Sequence, residues 1–196
     1  TPTLEQRCAA LKIRTAARTV YMKSRCDEQP CPLTDPRVTV AWLKLNAKCP
    51  NEGAAASQAA VDACVATYVG AITGDPECVR YKLRAVGNTT YQKSECVRRA
   101  TLQGRAPDAG CLAQADVQFA RAIARADQEG TCTGTVDDLE SLVDDCVPTL
   151  VTGLSTTTST SSSTSSSTTI APHTTTTSLP VGQCPPTGTA PCHADG

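Results

Sequence analysis

"CAALKIRTAARTVYMKSRC" (8–26) and "CVRYKLRAVGNTTYQKSEC" (78–96) are two versions of one segment, 70 positions apart. Each opens and closes on cysteine, and eight of the nineteen aligned positions are identical: Cys8/Cys78, Lys12/Lys82, Arg14/Arg84, Thr19/Thr89, Tyr21/Tyr91, Lys23/Lys93, Ser24/Ser94 and Cys26/Cys96. At about 100° per residue, 18 steps close about five turns of α-helix, so both thiols face one side, about 27 Å apart along the axis. A second helix returning antiparallel can meet both ends. The spacing predicts a stapled helical hairpin, written twice.

The repeat extends further. "VDACVATYVGAI" (61–72) aligns with "VDDCVPTLVTGL" (143–154), matching Cys64 to Cys146, while Cys31 and Cys49 answer to Cys111 and Cys132. Each unit thus holds five cysteines, as a divergent duplication would leave them. An antiparallel return pairs Cys8 with Cys49, Cys26 with Cys31, Cys78 with Cys132 and Cys96 with Cys111. Cys64 and Cys146 are left over, and a bond between them would join the units through equivalent positions. Cys184 and Cys192 would close the tail. Twelve cysteines admit many connectivities, so these pairs are expectations.

Helix signals dominate both copies. Thr3 with Gln6 makes a capping-box pattern; Asp35-Pro36 and Asp75-Pro76 are cap-then-proline starts; Asp108 and Thr135 are further caps. Apolar residues recur at i, i+3, i+4, i+7 and i+8 in Val61, Cys64, Val65, Tyr68, Val69, Ile72 and in Val143, Cys146, Val147, Leu150, Val151, Leu154. The second helices carry Val38, Trp42, Leu45, Cys49 and Leu112, Ala115, Phe119, Ile123. No stretch alternates as a strand. We read an all-α chain of two tandem disulfide-stapled three-helix units (1–73 and 74–154). A Ser/Thr-rich extended segment (155–180) and a short Pro-rich, Cys-bounded tail (181–196) follow.

Twelve cysteines in 196 residues approach the density of disulfide scaffolds. Metal sites favour closely spaced ligands, and no C-x-x-C occurs here; Cys192-His193 lacks the first cysteine of a haem attachment motif. Bridged cysteines place the chain in an oxidising compartment, outside the cell or on its surface. A net charge of −1 and six aromatic residues (four Tyr, one Trp, one Phe) speak against nucleic acid as a partner. No run of about 18 apolar residues marks a transmembrane segment. The opening Thr-Pro-Thr reads as a mature form after signal removal, or as a fragment.

Residues 155–169 are all Ser or Thr, and 174–178 add five more. Such a tract builds no core and reads as an O-glycosylated stalk. The expected glycan carriers are Ser155, Thr156, Thr157, Thr158, Ser159, Thr160, Thr164, Thr168, Thr169, Thr174, Thr175, Thr176 and Thr177. The tail is expected to mediate self-association by running along an adjacent subunit.

Catalytic chemistry is hard to place. His173 and His193, the two histidines, lie outside the helical region, which removes Cys–His and Ser–His–Asp systems from it. No catalytic residue, cofactor site or metal site is assigned, and the chain reads as a non-enzyme. Asp137, Asp138, Glu140, Asp144 and Asp145 lack the spacing of a calcium loop; Asp137 and Asp138 suit a helix N-terminus, and the rest are expected to face water. Lys12, Arg14, Arg18, Lys23 and Arg25, with Lys82, Arg84 and Lys93 recurring, are expected to form a solvated face, with packing on an acidic neighbour as a variant and a glycan or phosphate partner as the alternative. "NTT" at Asn88–Thr90 matches a glycosylation sequon, but its mid-helix position favours a chance match.

The pairing of cysteine and lysine near each first-helix start (Cys8, Lys12; Cys78, Lys82), the "C…A…F…A…A…C" run and "VDDCVPTLV" (143–151) carry a resemblance over residues 8–180. The chain resembles uncharacterised secreted cysteine-rich helical repeat proteins of environmental bacteria with Ser/Thr-rich linkers. That resemblance implies a fold and an exported location and transfers no active site. The stapled hairpin is also similar to α-hairpinins, and the disulfide-rich helices to saposins, but the cysteine spacings carry over neither inhibition nor lipid binding. The expected function is an extracellular structural protein, a glycosylated and disulfide-stabilised subunit of a surface or filamentous assembly. The alternative is a stalk-presented binding or adhesion module for a glycan, lipid or protein.

Overall fold

The computed structural model describes residues 1–26, 36–49 and 54–152. Cys31, Asp35, Leu154, His173, His193, the expected glycan carriers and Cys184 with Cys192 lie outside the described residues. The described chain is all-α, with six helices: α1 (Leu4–Lys23), α2 (Pro36–Lys48), α3 (Ala54–Ala71), α4 (Pro76–Gln103), α5 (Ala109–Ala126) and α6 (Val136–Thr152).

Each start has a local cause. Thr3 accepts from the Gln6 amide at 3.1 Å while the Gln6 side chain takes the Thr3 amide at 2.8 Å, a reciprocal capping box. Asp75 accepts from the Glu77 amide at 2.9 Å, with Pro76 in the first turn, where its missing N–H costs nothing. Asp108 accepts from the Cys111 amide at 2.7 Å. Thr135 and Asp138 exchange bonds at the start of α6. Helix α4 stops at Gly104, whose φ of 62° lets the Arg105 amide turn back to the Ala100 carbonyl.

Helices α1 and α4, the two copies of the repeated segment, form the central pair. Gln6 lies beside Gly104, Arg14 beside Glu95 and Ser24 beside Gly87, so the helices run antiparallel. Small residues allow the approach: Ala16 and Ala17 are wholly buried, and Gly87 leaves the space that Ser24 fills.

The halves are not stacked as separate bodies. One apolar core runs through both, with Trp42 and Leu45 of α2, Val61 and Tyr68 of α3, Leu83 and Val86 of α4, Phe119 of α5, and Leu139 and Leu150 of α6. Two contacts join equivalent positions of the repeat. The rings of Tyr21 and Tyr91 lie 5.8 Å apart, and Cys64 is bonded to Cys146. Contact between a residue and its own counterpart is the signature of an isologous, two-fold arrangement; head-to-tail stacking pairs unlike positions.

The link between the halves is held on both sides. Gly74, at a φ of 135°, bridges to Cys132, and a Cβ there would fall 2.5 Å from the Thr131 carbonyl oxygen. Asp75 donates its amide to Thr131, and Thr133 donates its own to Thr73.

Candidate functional site

Nine cysteines fall within the described residues, and all nine are in disulfides. The bonded pairs are Cys8–Cys49, Cys64–Cys146, Cys78–Cys132 and Cys96–Cys111, with Cα atoms 5.6 to 6.0 Å apart. Cys26 is also disulfide-bonded; its expected partner, Cys31, lies outside the described residues. The bonds tie α1 to α2, α4 to the α5–α6 loop, α4 to α5, and α3 to α6. Losing one such bond from a small secreted domain typically costs about 2–5 kcal/mol.

The lysines correct the solvated-face reading. Lys12, Lys23, Lys82 and Lys93 are buried, at 1 %, 7 %, 2 % and 4 % exposure, while Arg14, Arg18 and Arg25 stay outside. Burying an ammonium is costly unless partners surround it. Lys82 donates to the Gly134 carbonyl at 2.7 Å and the Cys132 carbonyl at 3.3 Å, and pairs with Asp127 at 2.7 Å. It thereby stitches α4 to the loop that also holds the inter-half link. Lys23 pairs with Asp62, and its counterpart Lys93 pairs with Asp144, the counterpart of Asp62. The same brace is built in each half between the first and third helices.

Around Lys93 the brace is a cluster. Asp116 and Asp144 each lie 2.5 Å from Nζ, and Glu140 lies 4.0 Å away. Burial alone would lower the Lys93 pKa, but the Asp116 and Asp144 carboxylates outweigh it and hold the ammonium above its usual range. Burial, then the neighbouring Asp116 charge, raises the Glu140 carboxyl. Lys12 is lowered by burial. Of the acidic run expected to face water, Asp144 is exposed as expected and also joins this cluster, as does the half-buried Glu140, while Asp138 lies in the first turn of α6 and accepts from the Thr135 amide. Nearby, Tyr68 donates to the Thr90 hydroxyl at 2.7 Å, since Thr90 gives its own proton to the Val86 carbonyl. Burial, opposed only in part by the Thr90 bond, pushes the Tyr68 phenol well up.

One concave surface stands apart from these braces. A groove of about 620 Å³ lies between the C-terminal end of α1, α4 and α5, and takes Arg25, Arg84 and Arg125 in its lining beside Tyr21, Tyr81 and Asn88. Arg25 lies over the Tyr21 ring, 5.0 Å from its centroid, and donates to the Tyr21 hydroxyl. Asn88, the sequon residue, is exposed on this groove in the middle of α4, whereas Thr90 is buried. Sequence reasoning placed Arg25 and Arg84 on a solvated face and missed the groove, because Arg125 comes from a distant helix. Among the described residues no helix is long and apolar enough to cross a membrane. No family model matches the chain, and the searches of curated proteins and of solved structures each return no match.

Proposed function

We propose that the protein is an extracellular structural component: a disulfide-braced, non-enzymatic helical body that carries a glycosylated Ser/Thr-rich segment into a surface or filamentous assembly. The observation that supports this reading is the state of the cysteines, all nine of those described being bridged. Structural disulfides persist where the surroundings are oxidising. The charged clusters of the helical body agree with a scaffold, because the buried lysines and their carboxylates spend their charge on one another. Self-association through the tail, and glycans on 155–177, belong to the same proposal.

Intact mass of native material, before and after deglycosylation and with alkylation under non-reducing conditions, tests the exported, glycosylated state. No mass loss on deglycosylation removes the stalk; alkylation of most thiols removes the oxidised scaffold. Electron microscopy tests the assembly, since regular fibres of one repeating subunit support it and monodisperse monomers oppose it.

A further inference from the structure

Two residues that line the groove between α1, α4 and α5 differ in charge from the pair at their repeat-equivalent positions. On one side Arg14 and Glu95 form an ion pair, Nε to Oε1 3.9 Å. The repeat positions equivalent to that pair are Arg84 and Arg25, so two cations stand where the first half has a cation and an anion. Both line the groove, and α5 contributes Arg125 as a third; Glu129 is the one carboxylate among the described lining residues. Elsewhere on α4, Arg80 pairs with Glu77 and Arg98 with Glu95. Arg25 and Arg125 make no ion pair with any described residue, and Arg25 is held in place by the neutral Tyr21. Arg25 and Arg125 place like charges on one concave surface, where they repel. An oxyanion bridging two guanidiniums replaces that repulsion with charge-assisted hydrogen bonds.

We propose that this groove binds an acidic polysaccharide through its carboxylate or sulfate groups. Arg25 and Arg125 hold the anions, and the Asn88 and Gln128 amides are available to sugar hydroxyls. The volume is within the range of pockets that take small ligands, enough for a short stretch of a sugar chain. A protein of net charge −1 with few aromatic residues is a poor match for nucleic acid, whereas a local basic groove suits an acidic glycan. The proposal goes beyond the scaffold reading and does not depend on self-assembly.

Calorimetric titration of the full chain tests it, with four probes: a sulfated heparin-derived tetrasaccharide, tetragalacturonate, neutral maltotetraose and a short single-stranded oligonucleotide. At least one acidic sugar is expected to bind, more weakly as salt is raised from about 0.05 to about 0.15 M, and maltotetraose is not. The two acidic probes distinguish sulfate from carboxylate. Arg25→Glu rebuilds beside Arg84 the pairing seen between Arg14 and Glu95, so it should weaken binding by about tenfold or more without lowering the melting temperature. Arg125→Gln should weaken it by a similar factor, whereas Arg121→Gln, elsewhere on α5, should leave it unchanged. Failure of both acidic sugars to bind, equal binding of maltotetraose, tighter binding of the oligonucleotide, or wild-type affinity in Arg25→Glu and Arg125→Gln would each overturn the proposal. None of these results bears on the bridged cysteines or on fibres.

Discussion

Gly87 lies directly against Ser24: a Cβ built on the glycine would fall 2.5 Å from the serine Cβ and 2.7 Å from its Oγ. Glycine in mid-helix ordinarily costs about 1 kcal/mol relative to alanine. Here the missing methyl is what allows α1 to close on α4. Gly87→Ala is therefore expected to destabilise the protein by about 1–3 kcal/mol, against its helix propensity. Ser24→Gly in the same chain should recover part of the loss, and urea unfolding of the single and double variants measures that coupling.

Lys82 is expected to matter more than its charge suggests. Lys82→Met keeps the apolar stem but removes the donor shared by the Cys132 and Gly134 carbonyls and Asp127. Unfolding should become easier by about 2 kcal/mol or more. Amide hydrogen exchange should rise first at Asp75 and Thr133, whose bonds hold the inter-half link. Protection at those amides equal to wild type would remove the stitching role.

The Tyr68–Thr90 bond crosses from one half to the other, and its repeat counterparts are Leu150 and Val20, both apolar and buried. One interface position thus carries a polar pair and its equivalent an apolar one. Thr90→Val alone strands a buried phenol and should cost about 1–3 kcal/mol, while Tyr68→Phe with Thr90→Val should cost clearly less than the single change. Thermal unfolding of the three variants checks the order.

The Lys93 cluster makes stability depend on pH in two windows. Lys93 is raised in the folded state, so its contribution is present below about pH 10.5 and fades as pH climbs through the folded value. Glu140 is raised as well, which means that its ionised form is disfavoured by folding. Its protonation therefore favours the folded state below about pH 4.5, and that advantage is gone at neutral pH. Glu140→Gln should stabilise the protein at pH 7 and lose that gain in acid, whereas Lys93→Met should destabilise it at pH 7 and approach wild type in strong alkali. Melting temperatures across pH decide both.

The helices and their caps were legible because each depends on a few neighbouring residues: Thr3 with Gln6, Asp75 with Pro76, Asp108 with the Cys111 amide. The fate of the lysines was not, because a charge reads as surface until its partners are known, and Asp62, Asp127 and Asp144 lie 39 to 51 positions away along the chain. A signal was present nonetheless. Cys8, Lys12, Thr19, Lys23 and Cys26 fall within about 60° of one another around α1, and a face whose cysteines bond to other elements has to be covered. Identity between the copies marked this buried polar stripe rather than a shared surface. The groove was out of reach for a different reason, since Arg25 and Arg125 meet only after the halves have closed on each other.

The bond between Cys64 and Cys146 also makes the peptide junction dispensable for holding the halves together. Of the described disulfides, it alone links a residue before Gly74 to one after it. A molecule nicked by a protease at Thr73–Gly74 should run as a single species on a gel and separate into two fragments only once a reducing agent is added.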